Sequence, residues 1–223
     1  LALVAQGVAP HKLLGSYSQE RVGAAREIID EAGKSTRFMT PPTPGFRLLR
    51  DAVLSLSLTQ PFVGPLYHWR TSRPHEYGQS SLNAAGDDNL LFKTGPANGA
   101  PPQNVQLGAD DYLLDHMDHS VTLLYFTQGP AVPPALLTEV AACRQRGVPV
   151  RVVAVGASQP VAGAELTLPD AQGRVRARYG VLAGGAAYLL RPDQHVCARW
   201  MSLDATRLRA ALNTVTCFEG VLA

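Results

Sequence analysis

The 223-residue sequence lacks the short signatures that announce nucleotide or acyl chemistry. No GxGxxG follows a predicted strand, and neither a phosphate-loop GxxxxGK[ST] nor a GxSxG nucleophile elbow occurs. Glycine here punctuates turns. Only three cysteines are present, Cys143, Cys197 and Cys217, widely spaced and odd in number. They suggest neither a disulfide framework nor a zinc site, and a reducing, cytoplasmic compartment fits best. No block of like charge appears: 20 Lys and Arg stand against 18 Asp and Glu, a net charge of +2 scattered along the chain. That argues against a nucleic-acid partner. Apolar runs are broken well before the ~20 residues a membrane helix needs, so no membrane association is expected, and residues 1–20 do not form a signal peptide. Internal repeats and low-complexity tracts are missing too. The chain opens on Leu1, without a methionine and inside an apolar pattern, as expected of a piece of a longer protein.

What is present begins with helices. Leu1–Ala5 reads as the tail of a helix closed by Gly7, with Pro10 beyond it. Ser16 and Gln19 have capping-box spacing for a second helix, which Gly33 weakens at its end. Along it Tyr17, Arg21, Ala24, Ile28 and Ala32 recur at three- and four-residue steps, widened by Ala25 and Ile29, a stripe that needs another surface to cover it. Pro41, Pro42 and Pro44 force an extended connection to a third helix over Phe46–Leu58, with Phe46, Leu49, Val53 and Leu56 on one side and Pro61 beyond its end. Phe62–Asp88 is loop-rich and aromatic, with a short strand expected at Leu66–Trp69. Its rings argue for packing against something. Tyr67, His68, Trp69 and His75 lie here, and interdomain packing is preferred over a substrate pocket. The small, polar Asn83–Asn89 marks a boundary, giving a helical segment over 1–85 and a second domain over 86–223.

Beyond Lys93 strands and helices alternate. Val105–Leu107 is a short edge and Tyr112–Met117 a short helix. Ser120–Phe126 and Val148–Val155 have the content of buried strands, and Pro133–Arg146 between them makes a parallel βαβ unit. Ala164–Leu168, a turn at Asp170–Gly173 and an amphipathic Val175–Gly180 lead to a hairpin at Ala186–Trp200. Its turn, Arg191-Pro192-Asp193-Gln194, suits a type I turn followed by a left-handed residue, which asks Gln194 for a positive φ. In its second arm, strict alternation places Val196, Ala198 and Trp200 on one face and His195, Cys197 and Arg199 on the other. A last helix starts near Asp204. The fold class is therefore α/β, an N-terminal helical segment followed by a thioredoxin-like domain with a mixed sheet.

Candidate chemistry is thin. A thioredoxin-like layout would carry redox cysteines in the turn after its first core strand, where the start of the next helix lowers a thiol pKa. That turn, TQGPAVPP over 127–134, has none, so Cys143 and Cys197 read as small apolar core residues. His116 and His119 are three apart, as metal ligands sometimes are, but no third ligand is placed and a solvated face is the simpler reading. Glu20 beside Arg21 could pin the second helix to another domain through an ion pair. No catalytic, cofactor-binding or metal-ligating residue is assigned.

One resemblance spans nearly the whole chain. LALVAQGVAPHKLLGSYSQER, AREIIDEAGKSTRFM, PGFRLLRDAVLSLS and the late RPDQHVCARW resemble, in order and spacing, the C-terminal portion of flavin-dependent aromatic hydroxylases of the phenol hydroxylase and 3-(3-hydroxyphenyl)propionate hydroxylase group. The chain departs from that pattern at Val22 and Gly23, where relatives often carry a second Arg and a Pro, and at Gln194, where they usually carry Gly. The resemblance implies a parent monooxygenase that binds FAD in an N-terminal region outside this sequence, reduces it with NAD(P)H and hydroxylates a phenol with O2. It implies that this chain, alone, binds no cofactor and is inactive, contributing packing and the subunit contacts of a homo-oligomer. The alternative is a stand-alone binding or oligomerisation module without enzymatic activity.

Overall fold

The computed structural model describes residues 1–67, 74–182 and 184–218. The chain divides into two compact units, residues 18–75 and residues 1–17 together with 76–223. This division follows backbone contacts, whereas the boundary near 86 rests on composition.

Helix α1 (Ala2–Ala5) ends at Gly7, whose φ of 72° is the left-handed geometry expected there. Helix α2 (Leu13–Met39) is longer than its sequence pattern implies at both ends. Ser16 is not its N-cap but lies inside it, donating its hydroxyl to the Leu13 carbonyl at 2.7 Å. Gly33 does not end it either, since a lone glycine costs a helix about 1 kcal/mol and no proline intervenes before Pro41. Helix α3 (Pro44–Ser57) is capped by Thr43, which accepts from the Phe46 amide, with Pro44 at its first position, where no amide hydrogen bond is lost.

Within the 18–75 unit Val53 and Val63 are buried. A single 3₁₀ turn at Pro61–Val63 runs into helix α4 (Gly64–Tyr67). The strand expected at Leu66–Trp69 is therefore helical at Leu66 and Tyr67, while His68 and Trp69 lie outside the described residues. The Tyr67 ring stacks on Phe38, centroids 6.5 Å apart.

In the larger unit a small antiparallel ribbon, β1 (Gln106–Gly108) with β2 (Asp111–Tyr112), precedes the main sheet. The segment expected as a short helix at 112–117 is a 3₁₀ turn at Leu113–His116. The remaining elements follow the expected order: β3 (Val121–Phe126), α5 (Pro134–Gln145), β4 (Val150–Val155), β5 (Leu166–Leu168), α6 (Arg174–Arg178), β6 (Ala186–Leu190), β7 (Val196–Trp200) and α7 (Ala205–Thr216). Asp204 caps α7 by accepting from the Arg207 amide at 2.8 Å. The five strands form one mixed sheet in the order β5-β4-β3-β6-β7, parallel from β3 to β5 and antiparallel across β3, β6 and β7.

Two apolar layers cover this sheet, which is why its central strands are apolar on both sides. One gathers Leu123, Val152, Leu189 and Trp200 with Leu136 and Val140 of α5 and Leu208 and Leu212 of α7. The other gathers Leu124, Val153, Tyr188 and Val196 with Tyr179, Phe92 and Leu113. The hairpin turn has the expected geometry: the Gln194 amide donates to the Arg191 carbonyl at 2.9 Å and Gln194 has φ 57°.

Strict alternation in β7 does not hold. A bulge opposite Leu189 and Leu190 resets the pattern, so Val196 joins one layer while Cys197, Ala198 and Trp200 join the other. Both faces of β7 are buried, and so is its outer edge. Ala84 and Asp88 donate main-chain hydrogen bonds to the Cys197 and Arg199 carbonyls, and Gly99 and Ala100 bond both main-chain groups of Val196. An otherwise open edge is thereby satisfied by chain that precedes it by about a hundred residues in sequence.

Candidate functional site

The turn after β3 is where a thioredoxin-like domain would carry redox cysteines. Thr127 hangs it from the sheet, its amide donating to the Val155 carbonyl at 3.0 Å, and its hydroxyl accepts from the Gly129 amide at 2.9 Å. It holds no cysteine. Cys143 and Cys197 are fully buried in the layer formed by α5 and α7. Burial pushes the Cys197 thiol up to about 12, so it stays protonated and unreactive.

His195 and Cys197 do not converge. The His195 ring lies 4.8 Å from that of Tyr77, with Nδ1 2.9 Å from the Asp193 carbonyl oxygen, while Cys197 Sγ faces the Ala211 carbonyl at 3.9 Å. His116 is occupied differently: its Nε2 is 2.7 Å from Asp111 Oδ1. Among the described residues no group of three or more His, Cys, Asp or Glu is placed to hold a metal ion.

The buried phenols are structural. Tyr188 donates to the Tyr179 carbonyl at 2.5 Å, and Tyr179 to the Gln103 carbonyl at 2.9 Å. Burial raises both phenol pKa values above the ordinary range, helped for Tyr179 by the neighbouring Tyr188, so neither ionises at neutral pH.

Polar side chains instead tie the 84–100 segment to β7. Arg199, only 5 % exposed, donates Nε to Asn89 Oδ1 (2.7 Å), Nη1 to the Thr94 and Gly95 carbonyls (3.0 and 3.2 Å) and Nη2 to the Asn89 carbonyl (3.1 Å). Its guanidinium also lies 4.6 Å from the centroid of Phe92. Arg207 pairs with Asp88 at 2.5 Å. Burial alone would push the Asp88 carboxyl up, but the hydrogen bonds from Arg207 and the Met201 amide outweigh it and hold it below its ordinary value.

The 18–75 unit presents apolar surface. Ile28, Ile29, Leu48, Leu49, Leu54 and Leu56 are all more than two-fifths exposed. Phe38, Phe46, Leu49, Val53 and Leu66 line a groove of about 280 Å³ together with Lys34 and Arg37. Glu20 is buried and Arg21 exposed. Within the same unit His75 meets Glu27, Nδ1 to Oε2 at 2.6 Å.

A second cavity, of about 230 Å³, opens at the carboxyl end of β3 between the start of β6 and the end of β7. Arg176 lines it, a residue that the pattern of 175–180 places only in an amphipathic stretch. The signal was the run RVRAR, three arginines in five residues beside a sheet.

No helix among the described residues is long and apolar enough to cross a membrane. No protein-family model matches the chain, and no curated protein matches it in sequence. Solved structures do match. The flavin-dependent monooxygenase PieE, solved with FAD and substrate, aligns over 97% of this chain with TM-score 0.67 and 21% identity. The rebeccamycin biosynthetic enzyme RebC, solved with reduced flavin, aligns over 98% with TM-score 0.66 and 22% identity. Aklavinone-11 hydroxylase, solved with FAD and aklavinone, aligns over 97% with TM-score 0.66 and 26% identity. The chain spans about two-fifths of the length of these proteins, 42%, 39% and 37% in turn. Over nearly all of its length, this chain has the fold of part of these flavin-dependent hydroxylases and monooxygenases.

Proposed function

We propose that this chain is the C-terminal portion of an FAD-dependent, phenol-type aromatic monooxygenase that uses NAD(P)H and O2. The observation that carries the reading is the match of both units together, nearly end to end, to flavin enzymes more than twice as long. A shared α/β domain alone would be weak support, because such folds serve many functions. The added helices are what make it specific. Residues 86–223 then form a thioredoxin-like domain without redox cysteines, and residues 1–85 the trailing helices of the flavin and substrate domains.

The turn after β3 does not suit a flavin. The turn after β3, TQGPAVPP, has one glycine and three prolines where a pyrophosphate needs close backbone approach and free amides, and the cavity beside it is too small for a dinucleotide. In this reading FAD, NAD(P)H and the phenol are bound by the N-terminal region of the parent enzyme, and the chain alone is inactive. Its part is packing, through the apolar faces of α2 and α3, and the subunit contacts of a homo-oligomer in a cytoplasmic protein.

The test is direct. FAD added to the purified 223-residue chain should keep the spectrum and fluorescence of free flavin, and the longer coding sequence should hold a GxGxxG upstream of Leu1. Tight flavin binding by the chain alone, or an upstream region without a dinucleotide fold, would refute the reading.

A further inference from the structure

Of the asparagines in this chain only Asn98 precedes a glycine; Asn83, Asn89, Asn104 and Asn213 precede Ala, Leu, Val and Thr. In an Asn-Gly pair the glycine amide nitrogen can reach the carbonyl carbon of the preceding side chain, because no Cβ on the glycine hinders the approach. Here the glycine cannot be exchanged. Gly99 stands at φ 79° in the turn that the Ala100 amide closes on the Ala97 carbonyl at 3.0 Å, and a Cβ would fall 2.2 Å from the Tyr77 carbonyl carbon.

The closed 84–100 segment occupies both groups that would react. The Gly99 amide donates to the Val196 carbonyl at 2.8 Å, and Asn98 Nδ2 donates to Asp87 Oδ2 at 2.7 Å, the acceptor that fixes which way the amide points. Asn98 Oδ1 is buried, and the Asn98 main-chain amide donates to Asn89 Oδ1 at 3.3 Å. The same contacts cover the edge of β7: Asp87 Oδ2 also accepts from the Arg199 amide at 3.2 Å, and the Ala100 carbonyl accepts from the Val196 amide at 2.9 Å. Attack of Gly99 on Asn98 therefore requires the segment to leave β7.

We propose that Asn98 is a self-modification site that reacts when the 84–100 segment opens and then keeps it open, independently of any flavin chemistry. In the open segment the Gly99 nitrogen gives up its proton to water and attacks Asn98 Cγ. The Cγ–Nδ2 bond breaks, ammonia leaves and a succinimide ring remains. Water adds to one of the two ring carbonyls and opens the ring to aspartate or isoaspartate, with no electron transferred. The product does not return to the closed position. Its carboxylate has no hydrogen to donate to Asp87 Oδ2 and would set two like charges in contact, and isoaspartate adds a carbon to the backbone of a tight turn. Arg199 does not neutralise the pair in place, since its donors are bonded to Asn89, Thr94 and Gly95. Once uncovered, the outer edge of β7 presents unpaired main-chain groups, a template for association.

The experiment incubates the full chain at mildly alkaline pH, folded or unfolded in urea, and maps amide-to-acid conversion by peptide mass spectrometry. Conversion is expected at Asn98 before any other asparagine, and about tenfold or more slower in the folded chain, because local opening must come first. Folded Arg199→Met, with its segment loosened, should convert faster than the unsubstituted chain. Converted molecules in the aged, folded sample should be cut by protease within 84–100 ahead of unconverted ones. Asn98→Asp should show that sensitivity from the outset, and Asp87→Asn combined with Asn98→Asp, which restores a donor and acceptor with their roles exchanged, should regain part of the resistance. The proposal is overturned if Asn98 converts equally fast in folded and unfolded chains, if Arg199→Met leaves the folded rate unchanged, or if aged, converted chains resist protease as well as unconverted ones.

Discussion

Replacing Arg199 by Met should loosen the larger unit more than any other single polar substitution. The side chain is 5 % exposed and makes four hydrogen bonds, to Asn89 Oδ1 and to the carbonyls of Asn89, Thr94 and Gly95. Methionine matches much of the stem and keeps contact with Phe92, so the change isolates the guanidinium. Each bond to a charged donor contributes about 1.5–3 kcal/mol, but carbonyls near a surface segment recover part of this from water. The sum is then capped near the ~3–5 kcal/mol seen when one partner of a buried charged network is removed. Against a domain stability of ~5–15 kcal/mol, that is a large fraction. Arg199→Lys should recover only part, because an ammonium cannot span Asn89 and the Thr94 and Gly95 carbonyls as the planar fork does. The loss should appear first where the network acts. Segment 84–100 would become sensitive to limited proteolysis before α5 or α7, and hydrogen exchange at Ala84, Asp88 and Gly99, whose amides bond to β7, would accelerate. Denaturant unfolding within about 1 kcal/mol of the unsubstituted chain, with unchanged proteolysis, would refute the reasoning, since it would mean that the main-chain bonds to β7 hold the segment without the arginine.

Three further outcomes are expected. Gln194→Gly should stabilise the chain by about 1 kcal/mol in denaturant titrations, since Gln194 adopts φ 57° at a cost that glycine avoids; destabilisation would contradict the turn geometry. Stability should fall as pH drops below about 4: burial pushes the Asp193 carboxyl up, but hydrogen bonds from His195 and Arg191 outweigh it, and the Arg209 hydrogen bond lowers Glu139. These folded-state pKa values lie below the unfolded ones, so the contribution is present above the ordinary carboxylate range and is lost as pH falls through the depressed values. Asp193→Asn should flatten that acid limb in thermal melts recorded across pH. Leu48→Glu with Leu54→Glu, both on exposed positions of α3, should reduce self-association and dye binding without lowering Tm, and unchanged dye binding would place the apolar patch elsewhere.

Much of this protein is written locally. The βαβ unit, the hairpin, the left-handed Gln194 and the caps at Asp204 and Gly7 depend on a few consecutive residues, and period, proline and glycine report them directly. The absence of cysteine from TQGPAVPP is equally a property of the string. Other features depend on residues far apart. Ser16 has the look of a cap, yet α2 begins at Leu13, because helix ends respond to packing as well as to side-chain type. Strict alternation assigned Cys197 to the face of His195, and a bulge moved it to the core of α5 and α7, a change that pairing with β6 decides. Alternation places Arg199 on the strand face opposite Trp200 and does not say what it meets. Tertiary structure buried it, because the 84–100 segment crosses the sheet edge and brings carbonyls and Phe92 to it. The sequence by itself determined the strands and helices of the sheet domain from β3 to α7, since those choices rest on neighbouring residues. Only the tertiary structure decided which polar groups meet, because that depends on chain segments roughly a hundred residues apart being brought into contact.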